Sequence, residues 1–185
     1  MRLQKFVPLA LLLWLGATPV VWAQTGVTTQ TPGVGSLQIG KLDYLLGLMR
    51  ERLELSRQVA EVKWNQGLPV EDLERERQFL RSMLRAAQGD LDDRFVEAFF
   101  GAQILASKQL QNALFEDWRA QSVQHIESTA TLEELRPRLD RVSVELVYAL
   151  RDIRASLKNP QLQGSLRGYP EGALRTAIKP LLELR

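Results

Sequence analysis

Cysteine is absent from the 185 residues, and histidine occurs once, at His125. No thiol nucleophile, thiolate metal site or disulfide framework can be built from such a chain. A multi-histidine metal centre is excluded too, and a serine–histidine–acid triad could draw only on His125. That residue lies in the polar stretch Gln121 to Glu127 and reads as an exposed loop or helix-end histidine. No metal and no cofactor is expected. Runs of β-branched residues with period two are missing, so strands are not expected. Basic residues are missing from Gln24 to Gly40, a segment rich in Thr, Gly and Gln that reads as a flexible leader.

Long apolar runs are also scarce. The clearest is Phe6 to Trp22, which follows Arg2 and Lys5 and contains Pro8, Gly16 and Pro19. It is shorter than the roughly 20 apolar residues of a membrane span. Val21-Trp22-Ala23 has the form of a cleavage site before Gln24, so residues 1–23 read as an export signal and the destination as periplasmic or secreted. The chain holds 24 Lys and Arg against 22 Asp and Glu. Loss of Arg2 and Lys5 with the signal balances the two, so nucleic acid is not implied as a partner. Nor is a membrane, once the signal is removed. What remains beyond the leader, residues 41–185, is enough for one ordinary domain with a core.

From Lys41 the apolar spacing turns helical. The first helix is expected over about Lys41 to Asn65, stopping at Gly67-Leu68-Pro69. One stripe carries Leu45, Met49, Arg52, Ser56, Val59 and Lys63. The opposite stripe, with Gly47, Glu51, Glu54, Gln58, Glu61 and Asn65, looks solvated. A second helix spans about Val70 to Gln88, with Glu71 and Asp72 in its first turn, where acids suit the dipole. Its apolar line is Leu73, Leu80 and Leu84; a second line holds Asp72, Glu76, Phe79 and Met83. A third runs from about Asp92 to Gln121 and puts Phe100, Ser107, Gln111, Leu114 and Trp118 on one face. Thr131-Leu-Glu-Glu134 is a capping box that opens a fourth helix reaching about Leu157, with Pro137 in its early turns. One or two short helical pieces follow around Tyr169 to Leu184. The fold class is all-α: a bundle of three or four long helices plus short C-terminal helices.

The inner stripes carry Arg52, Lys63, Glu76, Ser107 and Gln111 where an ordinary bundle has Leu, Ile, Val and Ala. Arg52 and Lys63 are 11 residues apart, so they point within about 20° of each other and sit roughly 16 Å apart along the axis. Buried charges need partners. Periodicity alone leaves two readings open. One is structural: buried ion pairs such as Lys63 with Glu76, or an Arg52 that snorkels to the rim. The other is a water-poor pocket in which two cations, an acid, a hydroxyl and an amide converge on an anionic ligand. No general base–nucleophile pair is evident, so such a pocket suits electrostatic positioning rather than covalent chemistry.

A resemblance bears on the choice. The stretch from Met49 to Trp64, then Leu68-Pro69-Val70-Glu71-Asp72 and Arg75-Glu76, resembles the all-helical chorismate mutases. The signal and the extra C-terminal region are similar to their secreted, periplasmic subclass, the gamma type. The pattern is specific: Lys63, then Asp72, Arg75 and Glu76 at plus 9, 12 and 13, with Arg52 upstream and Ser107 and Gln111 on a later helix. The resemblance covers about Leu42 to Trp118 well, Leu135 to Leu150 less well, and the tail faintly.

It implies a monofunctional isomerase that rearranges chorismate to prephenate without cofactor or covalent intermediate. Lys63, Gln111, Arg52 and Glu76 would be catalytic. Arg52 would clamp a carboxylate, and Lys63 and Gln111 would hydrogen-bond the ether oxygen of the breaking bond. Glu76, with the backbone near Asp72, would hold the ring hydroxyl. Ser107 and Arg75 would help at the carboxylate and ring end. The small cytosolic members take a further arginine from a partner chain's N-terminal helix. Gln24 to Gly40 has none, and the secreted members use the following helix of the same chain. Leu135-Arg136-Pro137-Arg138-Leu139-Asp140 matches that segment, with Arg136 the choice and Arg138 the fallback. The secreted relatives imply a homodimer with each site inside one protomer. Some of them carry a disulfide in the C-terminal region; without cysteine, the tail here would be held by packing alone. The rival reading is a non-enzymatic exported helical binding or adaptor protein whose inner charges are structural pairs.

Overall fold

The computed structural model describes residues 34–128, 130–169 and 172–184. The expected signal and residues 24–33 of the leader lie outside them. Six helices follow one another: α1 Val34–Gln66, α2 Leu73–Ala87, α3 Asp93–Ala120, α4 Leu132–Ile153, α5 Pro160–Arg167 and α6 Ala173–Leu182. Among the described residues there is no strand, and no helix is long and apolar enough to cross a membrane. The all-α expectation therefore holds.

At 33 residues α1 is about 50 Å long and serves as the spine. It packs against α4 and α3, and α3 packs in turn against α2 and α6. The stripe Leu45, Met49, Arg52, Ser56, Val59, Lys63 is buried along its whole length, as the spacing predicts. The helix starts at Val34, seven residues ahead of the expected Lys41. Leu42 and Leu46 are buried beside Leu45, so the apolar stripe extends close to that end and tertiary contact sustains the early turns. Its C-terminus is a Schellman motif. Gly67 takes φ +64°, its N–H reaches Trp64 O at 3.1 Å, and Leu68 N–H reaches Lys63 O at 2.8 Å. This turn sends the chain back across the end of α1, over Lys63.

Three expectations about α2 need correction. It begins at Leu73, not Val70, because Asp72 is its N-cap rather than a first-turn residue: Oδ1 accepts the Arg75 N–H at 3.1 Å. Of its two expected inner lines, Phe79 and Met83 are buried, with Ala87 one turn on, and Leu80 and Leu84 pack against the core, whereas Leu73 is 52 % exposed. Propensity counts apolar residues, but the face that meets α3 is decided by where Phe79 stacks on Phe100, 5.7 Å between ring centroids.

The expected boundaries of α3 hold to within a residue. The capping box of α4 forms, Thr131 Oγ1 accepting from Glu134 N–H and Glu134 Oε2 from Thr131 N–H. Pro137 stays inside α4, in its first turns, where it lacks the N–H that would pair with the Glu133 carbonyl. That helix ends at Ile153, short of the expected Leu157, and α5 falls before Tyr169, where no helix was expected.

The tail is not held by packing alone. Ala177, Ile178 and Leu181 of α6 are buried, but two buried amides also tether it. Gln103 Nε2 donates to Ala177 O at 3.0 Å, and Gln163 Nε2 donates to Leu157 O at 2.7 Å and Leu181 O at 2.8 Å. Replacing Gln163 with Leu leaves two buried carbonyls without these donors. The expected outcome is a stability loss of about 1–3 kcal/mol, read from the urea midpoint with an unchanged m-value.

Candidate active site

The four long helices leave a cleft between them. From α1 come Arg52, Ser56, Val59 and Lys63; from α2 and its cap, Asp72, Arg75, Glu76 and Phe79. α3 brings Ile104, Ser107, Lys108 and Gln111, and α4 brings Arg136, Leu139 and Asp140. All eight candidate residues therefore face one space. Arg138 is exposed and outside it, so Arg136 is the arginine that α4 directs to the cleft. His125 is exposed in the connection after α3 and takes no part.

Arg52 is 6 % exposed and does not snorkel. Nε donates to Ser143 Oγ at 3.2 Å, and Nη1 donates to Gln103 O at 3.0 Å and Ser107 Oγ at 2.7 Å. Its guanidinium lies 5.2 Å from the Phe79 ring centre. The hydroxyls are themselves held: Ser107 donates to Gln103 O at 2.9 Å, Ser143 to Leu139 O at 2.7 Å, and Ser56 Oγ lies 2.9 Å from Ser107 Oγ. Every partner is a neutral oxygen. No carboxylate among the described residues ion-pairs with Arg52, and none of its hydrogen bonds there uses Nη2. Burial pushes its pKa down to about 10, against the pull of Asp140 and with Arg75 adding to the fall. A buried guanidinium with only neutral partners is a site for an anion.

Lys63 is equally buried, at 7 % exposure, and Nζ donates to Val70 O at 2.7 Å. The expected pair with Glu76 does not form. Glu76 instead meets Lys108 on α3 at 3.3 Å, so the structural ion-pair reading fails for both Arg52 and Lys63. Burial holds the Lys63 ammonium below its ordinary pKa; Asp72 and Glu76 oppose this, and Arg136 and Lys108 reinforce it. The neighbouring acids therefore do not dominate, contrary to the simplest reading of the sequence.

At the mouth, Asp72 uses Oδ1 to cap α2 and Oδ2 to accept from Arg136 Nη2 at 3.0 Å, while Arg75 pairs with Asp140. Gln111 is 6 % exposed, and its Oε1 is buried without a partner. Altogether five cations and three carboxylates line the cleft, a surplus of two positive charges. Sequence reasoning missed Lys108, Asp140, Ser56, Gln103 and Ser143. Lys108 follows Ser107 directly, Ser56 already stood on the inner stripe of α1 and Asp140 closes the segment that carries Arg136, so these three were legible as neighbours of the site; Gln103 and Ser143 read as ordinary helix positions.

Fold and cleft together define an all-helical protein with buried cations facing one cleft. The model of the family described as chorismate mutase type II matches residues 38–112. A monofunctional chorismate mutase of Enterobacter agglomerans is 32 % identical over 117 residues, 63 % of this chain and 64 % of that protein. A secreted chorismate mutase of Mycobacterium tuberculosis is 34 % identical over 80 residues, 43 % of this chain and 40 % of that one. The matched stretches thus span less than two thirds of these curated relatives. The crystal structure of a chorismate mutase from Burkholderia thailandensis superposes with a TM-score of 0.67 at 32 % identity, covering 76 % of this chain and 98 % of that one. The chain belongs to the chorismate mutases.

Proposed function

We propose that this protein converts chorismate to prephenate by an intramolecular rearrangement, with no covalent intermediate. The observation that carries this is the pair of buried cations, Arg52 and Lys63, that face one cleft without a carboxylate partner, with Gln111 lining the same space. An adaptor protein would have paired these charges internally.

Chorismate is a dianion, and its rearrangement needs both carboxylates held while the ring and side chain fold together. Arg52, fixed by Ser107, Ser143 and Gln103, binds one carboxylate through Nη2, and Arg136 and Arg75 supply positive charge at the mouth. This positioning replaces a large entropic part of the barrier. As the C–O bond breaks, negative charge grows on the ether oxygen. Lys63 and the Gln111 amide donate to that oxygen more strongly in the transition state than in the substrate, which raises kcat rather than merely tightening binding. Glu76 accepts from the ring hydroxyl, and Ser107 steadies the carboxylate end.

Because Gln111 is an amide, its donor does not depend on pH. The expected kcat/KM profile is nearly flat from about pH 5 to pH 8. Gln111→Glu must be protonated to donate, so it should keep activity in acid and lose it progressively towards neutrality. A flat profile through pH 8 for that variant would show that Gln111 is not the ether-oxygen donor.

The protein acts as a homodimer with each site inside one protomer, since Arg136 comes from α4 of the same chain. Mixing inactive Arg52→Ala and Arg136→Ala proteins should therefore restore no activity; substantial rescue on subunit exchange would mean a shared site. Export completes the reading. Protein secreted from a bacterial host should begin at Gln24 by N-terminal sequencing, and a retained Met1 would refute cleavage.

A further inference from the structure

Lys108 stands on α3 between Ser107 and Gln111, half-buried at the edge of the cleft. Its ammonium lies 2.6 Å from Glu71 Oε1 and 3.3 Å from Glu76 Oε1. The two acids differ in setting: the Glu71 side chain is 56 % exposed on the α1–α2 connection, and that of Glu76 is 22 % exposed and lines the cleft. The charged groups around Glu76 are Lys63 from α1, Lys108 from α3, Arg136 and Asp140 from α4, and Glu71, Asp72 and Arg75 from its own stretch. Of the cations, Lys63 is engaged by Val70 O, Arg136 by Asp72 and Arg75 by Asp140. Among the described residues, Lys108 is the one that ion-pairs with Glu76.

We infer that Lys108 is a positioning residue: it grips Oε1 of Glu76 and so aims the second carboxylate oxygen into the cleft, towards the hydroxyl of the bound ligand. A glutamate in the first turn of a helix has three rotatable side-chain bonds and water on one side, so without an anchor it samples several rotamers. A charge-assisted contact from a neighbouring helix selects one. The assignment of Glu76 to a ligand hydroxyl rests on the reaction proposed above.

Lys108→Met should lower kcat/KM on chorismate about tenfold, and Lys108→Arg should stay within threefold of the wild type. In a Glu76→Gln background, Lys108→Met should cost less than a further twofold, because the group it positions is no longer a carboxylate. Glu71→Gln, which removes only the outer partner, should stay within twofold of the wild type. Equal losses from Lys108→Met in both backgrounds would overturn the proposal. So would a Glu71→Gln loss as large as that of Lys108→Met, which would assign Lys108 to pinning the connection. A crystal structure of Lys108→Met supplies a readout independent of turnover. The Glu76 carboxylate should leave its place in the cleft, and an unmoved carboxylate overturns the proposal. If the wild-type protein does not convert chorismate, the reaction reading falls, and this structure still decides whether Lys108 positions Glu76.

Discussion

Lys63→Ala is expected to lose at least about a hundredfold in kcat/KM on chorismate, while remaining folded. The figure corresponds to about 2.7 kcal/mol of transition-state stabilisation, the lower end for one donor aimed at developing negative charge. Lys63 combines a full charge with a buried setting, where charge is least screened. Its pKa adds a signature. Burial lowers it, so the free enzyme loses its ammonium at a pH below the ordinary lysine value. The alkaline limb of the wild-type kcat/KM profile should therefore fall below pH 10.5, the unshifted value. The depressed pKa also means that the folded state holds this proton less tightly than the unfolded chain. Lys63 therefore costs stability below its folded pKa, and the cost fades as pH rises towards the unfolded value. A loss below tenfold in a folded Lys63→Ala protein would remove the residue from the assigned role.

Arg52→Met should abolish at least about 99 % of kcat/KM and leave the thermal midpoint unchanged or higher. The activity loss follows from the carboxylate that Arg52 would hold; a methionine fills much of the space and offers no donor. The stability gain follows from the same burial. Arg52 sits among neutral oxygens with its pKa lowered to about 10, so the fold carries an unneutralised guanidinium. Replacing buried charge by apolar volume is often neutral or stabilising. The sign is definite: the folded pKa lies below the unfolded one, so the cost is full at every pH below about 10 and narrows only above it. The hydroxyls left behind keep their donors engaged, Ser107 with Gln103 O and Ser143 with Leu139 O. A variant that is stabler and inactive would show that the arginine is retained for function. Calorimetry alongside the absorbance assay checks both halves, and full activity in Arg52→Met would sink the site assignment.

Helical spacing in the sequence was enough to place Arg52, Ser56 and Lys63 on one buried face of α1, and the capping box marked where α4 begins. These are local matters: a period of 3.6 residues and a cap within four residues depend on neighbours along the chain. The eight candidate residues were legible because their order and intervals match a known family, and the bundle brings all of them to one cleft. Which charges meet across helices was not legible. Lys63 and Glu76 looked like a pair by character, yet α3 delivers Lys108 to Glu76, and the Schellman turn delivers the Val70 carbonyl to Lys63. On α2 the line through Phe79 and Met83 is buried as its spacing suggested and Leu80 and Leu84 pack against the core, but Leu73 at the start of the helix is exposed. Gln103 and Gln163 read as ordinary polar positions, but the tertiary structure turns both into tethers for α6. Sequence alone determined the buried face of α1 and part of that of α3, where Phe100, Ser107 and Gln111 are buried but Leu114 and Trp118 only half so, because helix periodicity is written residue by residue. Only the tertiary structure decided which buried charges stay unpaired, because partnership depends on the approach of separate helices, and that unpaired charge is what the proposed binding of a dianion rests on.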